Sequence, residues 1–165
     1  MEVKVKVLDL KITHDDIVEL ISGISGATYM TTIIPTEFNN EAYTRAECFE
    51  DKVADILFAG KYVYFVDIEA GVTNIFDHVA NNSLVLKYEK LDEFEGFIEN
   101  FYAPLYRIDL KRIKTALTQI LDGNMTGKYQ DCVKRSLRAM LDENADAFDY
   151  ENIAQYIMFG DAIYG

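Results

Sequence analysis

What the chain lacks narrows its identity first. No apolar run in its 165 residues approaches the roughly 18 that a membrane-spanning helix needs, so no bilayer span is expected. The opening Met-Glu-Val-Lys-Val-Lys-Val alternates charge with valine and builds no continuous apolar stretch of the kind a signal peptide uses. The ending Ile163-Tyr164-Gly165 carries no lipidation box, and a cytoplasmic protein is therefore expected. Cysteine is scarce: Cys48 and Cys132 lie far apart and match no C-x-x-C spacing. They read as two reduced, mostly buried thiols acting as small hydrophobes. A Walker loop, a dinucleotide fingerprint, an EF-hand loop and H-E-x-x-H are all missing. Ser22-Gly-Ile-Ser25-Gly lacks the strand before it and reads as a helix stop, not a nucleophile elbow. No cofactor and no metal is expected, and enzymatic activity is disfavoured.

Positive charge is the next shortage. Sixteen Lys and Arg stand against 28 Asp and Glu, a net charge of −12. Such a chain as a whole repels nucleic acid and anionic membranes, whereas a basic protein partner suits it. The deficit is uneven. Residues 107–138 hold eight basic side chains (Arg107, Lys111, Arg112, Lys114, Lys128, Lys134, Arg135, Arg138) against Asp109, Asp122 and Asp131, a net of +5. Beyond residue 138 there is no Lys or Arg, and six acids give −6, which leaves −11 for residues 1–106.

What is present is enough to fold. Half of the residues are apolar or aromatic, with 11 Tyr and 10 Phe, and a chain of this length buries roughly 70% of its unfolded surface. One domain spanning 1–165 is expected.

Hydrophobic periodicity supplies the elements. Residues 3–12 alternate as a half-buried strand, with a parity slip at Val7–Leu8 that implies a bulge. Thr13 stands as an N-cap with Asp16 three residues on, and Ile17, Leu20, Ile21 and Ile24 follow at helical spacing until Gly23 and Gly26 end the helix. Residues 28–34 read as a strand stopped by Pro35, and Asn39-Asn40 opens a loop. A helix from Cys48 to Ala59 turns Phe49, Val53, Ile56 and Leu57 inward and stops at Gly60. Lys61–Ile68 is apolar on both faces, as a central strand is. Turns at 69–71 and 81–82 frame a further strand over Ser83–Tyr88.

From there helices dominate. Asp92–Tyr102 reads as a helix stopped by Pro104. Asp109 caps a helix striped by Leu110, Ile113, Leu117, Ile120 and Leu121, which Asp122-Gly123-Asn124 ends. Tyr129, Val133, Leu137, Met140 and Leu141 mark the next, and Asp149 caps the last, which carries Ile153, Tyr156, Ile157 and Phe159 up to Gly160. A strand-rich 1–90 followed by a helix-rich 91–165 argues an α+β fold: a mixed or antiparallel sheet of about four strands from the N-terminal half, packed with helices mostly from the C-terminal half.

The chemistry-bearing residues are few. His14 beside Asp15 and Asp16, and His78 after Asp77, are each one histidine near a carboxylate with no third partner to name. Asp67 ends the most buried-looking strand, a usual place for an active-site carboxylate, and marks the alternative of a small enzyme or ligand-binding cleft. Lys111, Lys114, Lys134, Arg135 and Arg138 form a basic helical pair whose simplest role is to pair with neighbouring carboxylates. The acids Glu37, Glu41, Glu47, Glu50, Asp51 and Asp55, joined by Asp142, Glu143, Asp146, Asp149 and Glu151, form a candidate interaction surface able to imitate a phosphate backbone.

Two stretches carry a resemblance. Glu50–Gly60 (EDKVADILFAG) with Tyr62–Asp67 (YVYFVD), and Ala154–Gly165 (AQYIMFGDAIYG), are similar to small acidic proteins of bacterial phages and conjugative elements. No activity is assigned to that group, so the resemblance implies a mobile-element accessory role and no site residues. A non-enzymatic acidic module of DNA-mimic kind is the leading expectation. Self-association through Tyr- and Phe-rich surface is the remaining alternative.

Overall fold

Strand pairing along both edges of Val63–Asp67 sets the architecture. The computed structural model describes residues 11–27, 29–38, 48–67, 85–90, 102–125 and 127–164, with residues 36, 85–90 and 102–105 as backbone alone. The expected strand over 3–12 with its bulge, the loop and turns at 39–40, 69–71 and 81–82, and residues 92–101 of the expected helix fall essentially outside these. So do His78, Glu41 and Glu47.

Within the described residues, β1 (Met30–Ile33), β2 (Val63–Asp67), β3 (Val85–Lys90) and β4 (Tyr102–Ile108) make one antiparallel sheet in the order β1-β2-β4-β3. Three of these strands come from the first ninety residues. The fourth lies where the end of a helix is expected, and Pro104 sits inside it opposite Tyr88. Proline lacks an N–H and its ring clashes with the preceding turn, which is why it reads as a helix stop. Here the β2 ladder runs from Val63↔Ile108 only to Val66↔Leu105, one residue short of it. The β3 ladder shifts register between Val85 and Lys87.

Register assigns the faces. Met30↔Asp67, Thr32↔Phe65, Phe65↔Tyr106 and Val63↔Ile108 are opposed pairs, so these side chains share one face, and all are buried. On the other face Thr31, Ile33 and Tyr64 are half-buried, Arg107 is exposed and Val66 is buried. β2 is central, between β1 and β4, but its second face is only partly covered, with Val66 buried and Tyr64 half-buried.

Five α-helices are described: α1 (His14–Gly26), α2 (Phe49–Phe58), α3 (Leu110–Asp122), α4 (Gln130–Leu141) and α5 (Ala147–Phe159). α1 packs on β1 and lies between α2 and α5; α4 packs on α5, and α3 touches both. Their buried stripes (Ile17, Leu20, Ile21 and Ile24 of α1; Val53, Ile56 and Leu57 of α2; Ile113, Leu117 and Ile120 of α3) meet the buried sheet face in one core.

Several local expectations need correction. Gly23 is a buried residue inside α1, not its stop, and a Cβ there would lie 2.6 Å from Tyr150 Cβ of α5. The residue therefore permits close approach of two helices. Asp146, not Asp149, caps α5; Asp149 is the reciprocal member of the capping box. Phe49 is exposed, and so are Leu121 and Leu141. Both cysteines are free, but Cys48 is exposed and Cys132 half-buried, so the thiols are not mostly buried. Gly123 and Gly160 close α3 and α5 in the left-handed conformation, at φ 72° and 77°.

Arg112 locks three segments. Its guanidinium donates to the carbonyls of Ile157 (3.1 Å) and Met158 (3.1 Å) at the end of α5, and of Arg107 (2.9 Å) at the end of β4. Desolvation lowers its pKa to about 10, so it stays a cation against the negative end of the α5 dipole.

Candidate interaction surface

The helix starts concentrate negative charge for a local reason. A helix N-terminus leaves unpaired N–H groups and a positive dipole end, so acids and caps gather there. Thr13 and Asp16 form the capping box of α1 (3.1 and 2.8 Å), and Asp146 and Asp149 form that of α5 (3.0 Å each). The first turn of α2 carries Glu50 and Asp51. Cys48 donates its thiol to Asp51 (2.8 Å), and that hydrogen bond raises the thiol pKa.

Packing brings the start of α1 against the later turns of α2, and the start of α5 against α1. Where α1 meets α2, His14 Nε2 lies 2.9 Å from Asp55 Oδ1, with the His14 ring 5.9 Å from that of Phe58. Where α1 meets α5, Tyr150 stands among Glu19 and Asp16 of α1 and Asp149 of α5. Its phenol pKa is raised, by burial first and by those carboxylates next. Tyr29 donates to Glu151 (2.8 Å), and its pKa is likewise raised, by burial first and then by this bond. The three helices and the α5 cap hold nine acids (Asp15, Asp16, Glu19, Glu50, Asp51, Asp55, Asp146, Asp149, Glu151) with Lys52 as the one Lys or Arg.

Of the acids singled out in sequence, Glu50, Asp51, Asp55, Asp146, Asp149 and Glu151 belong to this layer. Asp142 and Glu143 occupy the exposed turn after α4. Glu37 accepts from the Tyr62 hydroxyl (2.5 Å), and the Tyr62 ring carries the Arg107 guanidinium 4.0 Å from its centroid. Asp15, Asp16 and Glu19 were missed, although Asp15 and Asp16 stood in the sequence reading beside His14 and Thr13.

Asp67 is fully buried at the end of β2. The Tyr164 hydroxyl donates to its two oxygens at 2.9 and 3.0 Å. Gln155, itself fully buried, accepts from the Tyr164 N–H (2.7 Å) and donates to its carbonyl (3.0 Å) and to the Tyr29 hydroxyl (3.1 Å). The Tyr164 ring lies 4.9 Å from that of Tyr29. Gln155 and Tyr164 were also missed in sequence. A lone glutamine inside the run Ile153-Ala-Gln-Tyr-Ile-Met158 was the available signal, since a buried amide requires partners.

The basic helices differ from expectation. His14 pairs with Asp55, whereas Lys111, Lys114, Lys134, Arg135 and Arg138 pair with no carboxylate among the described residues. Between α3 and α4 lies an open groove of about 370 Å³. No group of three His, Cys, Asp or Glu among the described residues is placed to hold a metal ion. No family model matches the chain, and neither a curated protein nor a solved structure matches it.

Proposed function

We propose that this chain is a non-enzymatic interaction module whose acidic helical layer engages a basic surface on a protein partner. The observation that carries the reading is the gathering of Asp16, Glu19 and Asp149 around Tyr150 at the α1–α5 seam, with Asp55 of α2 beside His14 on the other side of α1. Helix capping accounts for Asp16, Asp146 and Asp149. The helix dipole accounts for Asp15 in the first turn of α1, but neither effect accounts for exposed Glu19 or for the scarcity of cations on the same helices.

A layer of this kind suits a groove built for phosphates, as in a nucleic-acid-processing enzyme. An accessory role in a phage or conjugative element, which the resemblance implies, would place such a target in the bacterial cytoplasm. Association through it is steered by charge, and so is fast at low salt and sensitive to ionic strength. The alternative of a cleft at Asp67 has less support, because Tyr164 fills that place. Self-association through aromatics also has less, because exposed Phe49 and Phe58 stand at opposite ends of α2.

The test is capture from bacterial lysate by the immobilised chain at about 0.1 M and about 0.5 M salt, over which the Debye length falls well below 10 Å. A specific basic protein should be retained at the lower salt and released at the higher. It should also be lost by a chain carrying Asp15→Asn with Glu19→Gln. Undiminished capture by that variant would remove the acidic layer from consideration.

A further inference from the structure

We propose that residues 160–164 are an internal ligand: a strap that fills a socket for a tyrosine-bearing extended segment, and gives it up to such a segment of a partner protein. This site is independent of the acidic layer.

The socket holds the strap as it would hold a peptide. Ala162 is buried, Ile163 exposed and Tyr164 half-buried, the alternation of an extended chain, yet the segment belongs to no strand of the sheet. Among the described residues, the backbone of 161–163 bonds to no backbone group of another element. Side chains hold the strap instead. The fully buried Gln155 amide accepts from the Tyr164 N–H (2.7 Å) and donates to its carbonyl (3.0 Å). It thus takes both backbone groups of one residue, as a neighbouring strand would. The hydroxyl of Tyr164 reaches the fully buried Asp67 carboxyl group (2.9 and 3.0 Å), and its ring lies 4.9 Å from that of Tyr29. Backbone, hydroxyl and ring are each matched, so the site selects a tyrosine on a peptide and not any apolar plug.

The strap's second anchor lies outside the socket. Asp161 accepts from the N–H groups of Lys128 (2.7 Å) and Tyr129 (3.0 Å), just before α4. Gly127 makes room for it, since a Cβ there would lie 2.5 Å from Asp161 Cγ and Oδ1. Gly160, the left-handed residue between α5 and the strap, has open space around it and can turn as a hinge. Loosening the Asp161 anchor therefore frees the strap without altering Asp67, Gln155 or Tyr29.

Opening alone would take a partner from two buried polar side chains, which is costly. A segment that offers the same N–H, carbonyl and hydroxyl removes that cost. The socket thus favours exchange of one tyrosine segment for another over an empty state. The strap acts as a competitor tethered in cis.

The probe is the fluorescein-labelled peptide Gly-Asp-Ala-Ile-Tyr-Gly, the sequence of residues 160–165. Its control has phenylalanine in place of tyrosine. Anisotropy should show saturable binding to Gly127→Ala and, separately, to Asp161→Asn. The natural chain should bind about tenfold more weakly, because only its open fraction is competent. The phenylalanine peptide should bind either variant about tenfold more weakly, the scale of one hydrogen bond to a buried group. Neither substitution touches the socket, and far-UV spectra should match that of the natural chain. Asp161→Asn is nearly isosteric and carries the test if Gly127→Ala does not fold. A strap that is only structural gives a different result: the substitutions destabilise the chain and create no peptide site. The proposal is overturned by any of four results: no binding to the folded variants at about 1 mM, equal affinity in natural chain and variants, equal binding of the two peptides, or a dimer of the variants that exchanges straps and so makes a second copy the occupant.

Discussion

At the scale of single residues, the buried carboxyl group of Asp67 and the phenol of Tyr164 define each other's position. Asp67 ends β2 with no exposure to solvent, and burying a carboxyl group is costly unless its oxygens find donors. The Tyr164 hydroxyl supplies one to both oxygens, while Gln155 fixes the Tyr164 backbone through its N–H and its carbonyl. Tyr164→Phe keeps the ring beside Tyr29 and removes only the donor. It should lower folding stability by about 1–3 kcal/mol, the range for leaving a buried polar group less satisfied. Urea titration should show a lower midpoint with an unchanged slope; a loss under about 0.5 kcal/mol, the scale of an ordinary surface change, would contradict this account.

At the scale of elements, the α1–α5 seam depends on one absent side chain. Gly23 faces Tyr150, and an added Cβ would lie 2.6 Å from the Tyr150 Cβ, so the helices would have to part. Gly23→Ala should cost about 1–3 kcal/mol through overpacking, even though alanine favours a helix. Gly26, three residues on, has open space around it and no positive φ. Gly26→Ala should therefore be neutral or stabilise by up to about 1 kcal/mol, by reducing the freedom of the unfolded chain. Thermal or urea melts of the pair check this, and similar shifts for both would refute the close-packing role of Gly23.

At the scale of the whole molecule, the fold holds tyrosines against ionisation. Tyr29, Tyr62, Tyr150 and Tyr156 all have raised pKa values; burial is the first cause at Tyr29, Tyr150 and Tyr156, and the Glu37 hydrogen bond is the first at Tyr62. Above the ordinary value of 10.0, the unfolded chain loses these phenolic protons while the folded chain keeps them. The folded state then binds more protons than the unfolded, so stability must fall as pH rises beyond that point. Urea midpoints taken from about pH 9 to about pH 11 should decline, and Tyr29→Phe should flatten the decline. Arg112, with its pKa lowered to about 10, contributes with the opposite sign in the same range. The comparison of the two chains isolates the tyrosine, and an identical slope in both would rule out its part.

Much of the helical half was legible in sequence because its signals are local. Thr13 with Asp16, Asp109, Gly123 and Gly160 act where they stand, through caps and backbone conformation that need no distant partner. The acidity of the α1, α2 and α5 starts was equally plain, since it follows from composition and the helix dipole. What only the tertiary structure decided is which of these meet. Pro104 reads as a helix stop until Tyr88 of β3 pairs opposite it, and Gly23 reads as a terminator until Tyr150 lies against it. Asp67 and Tyr164 are 97 residues apart, and no periodicity links them. The cations of α3 and α4 seemed matched by the surrounding acids, yet Lys134 and Arg138 form no ion pair among the described residues although Asp122 and Asp142 line the same groove. Spacing along a chain fixes local conformation; the partners of a polar or charged group are fixed only by packing.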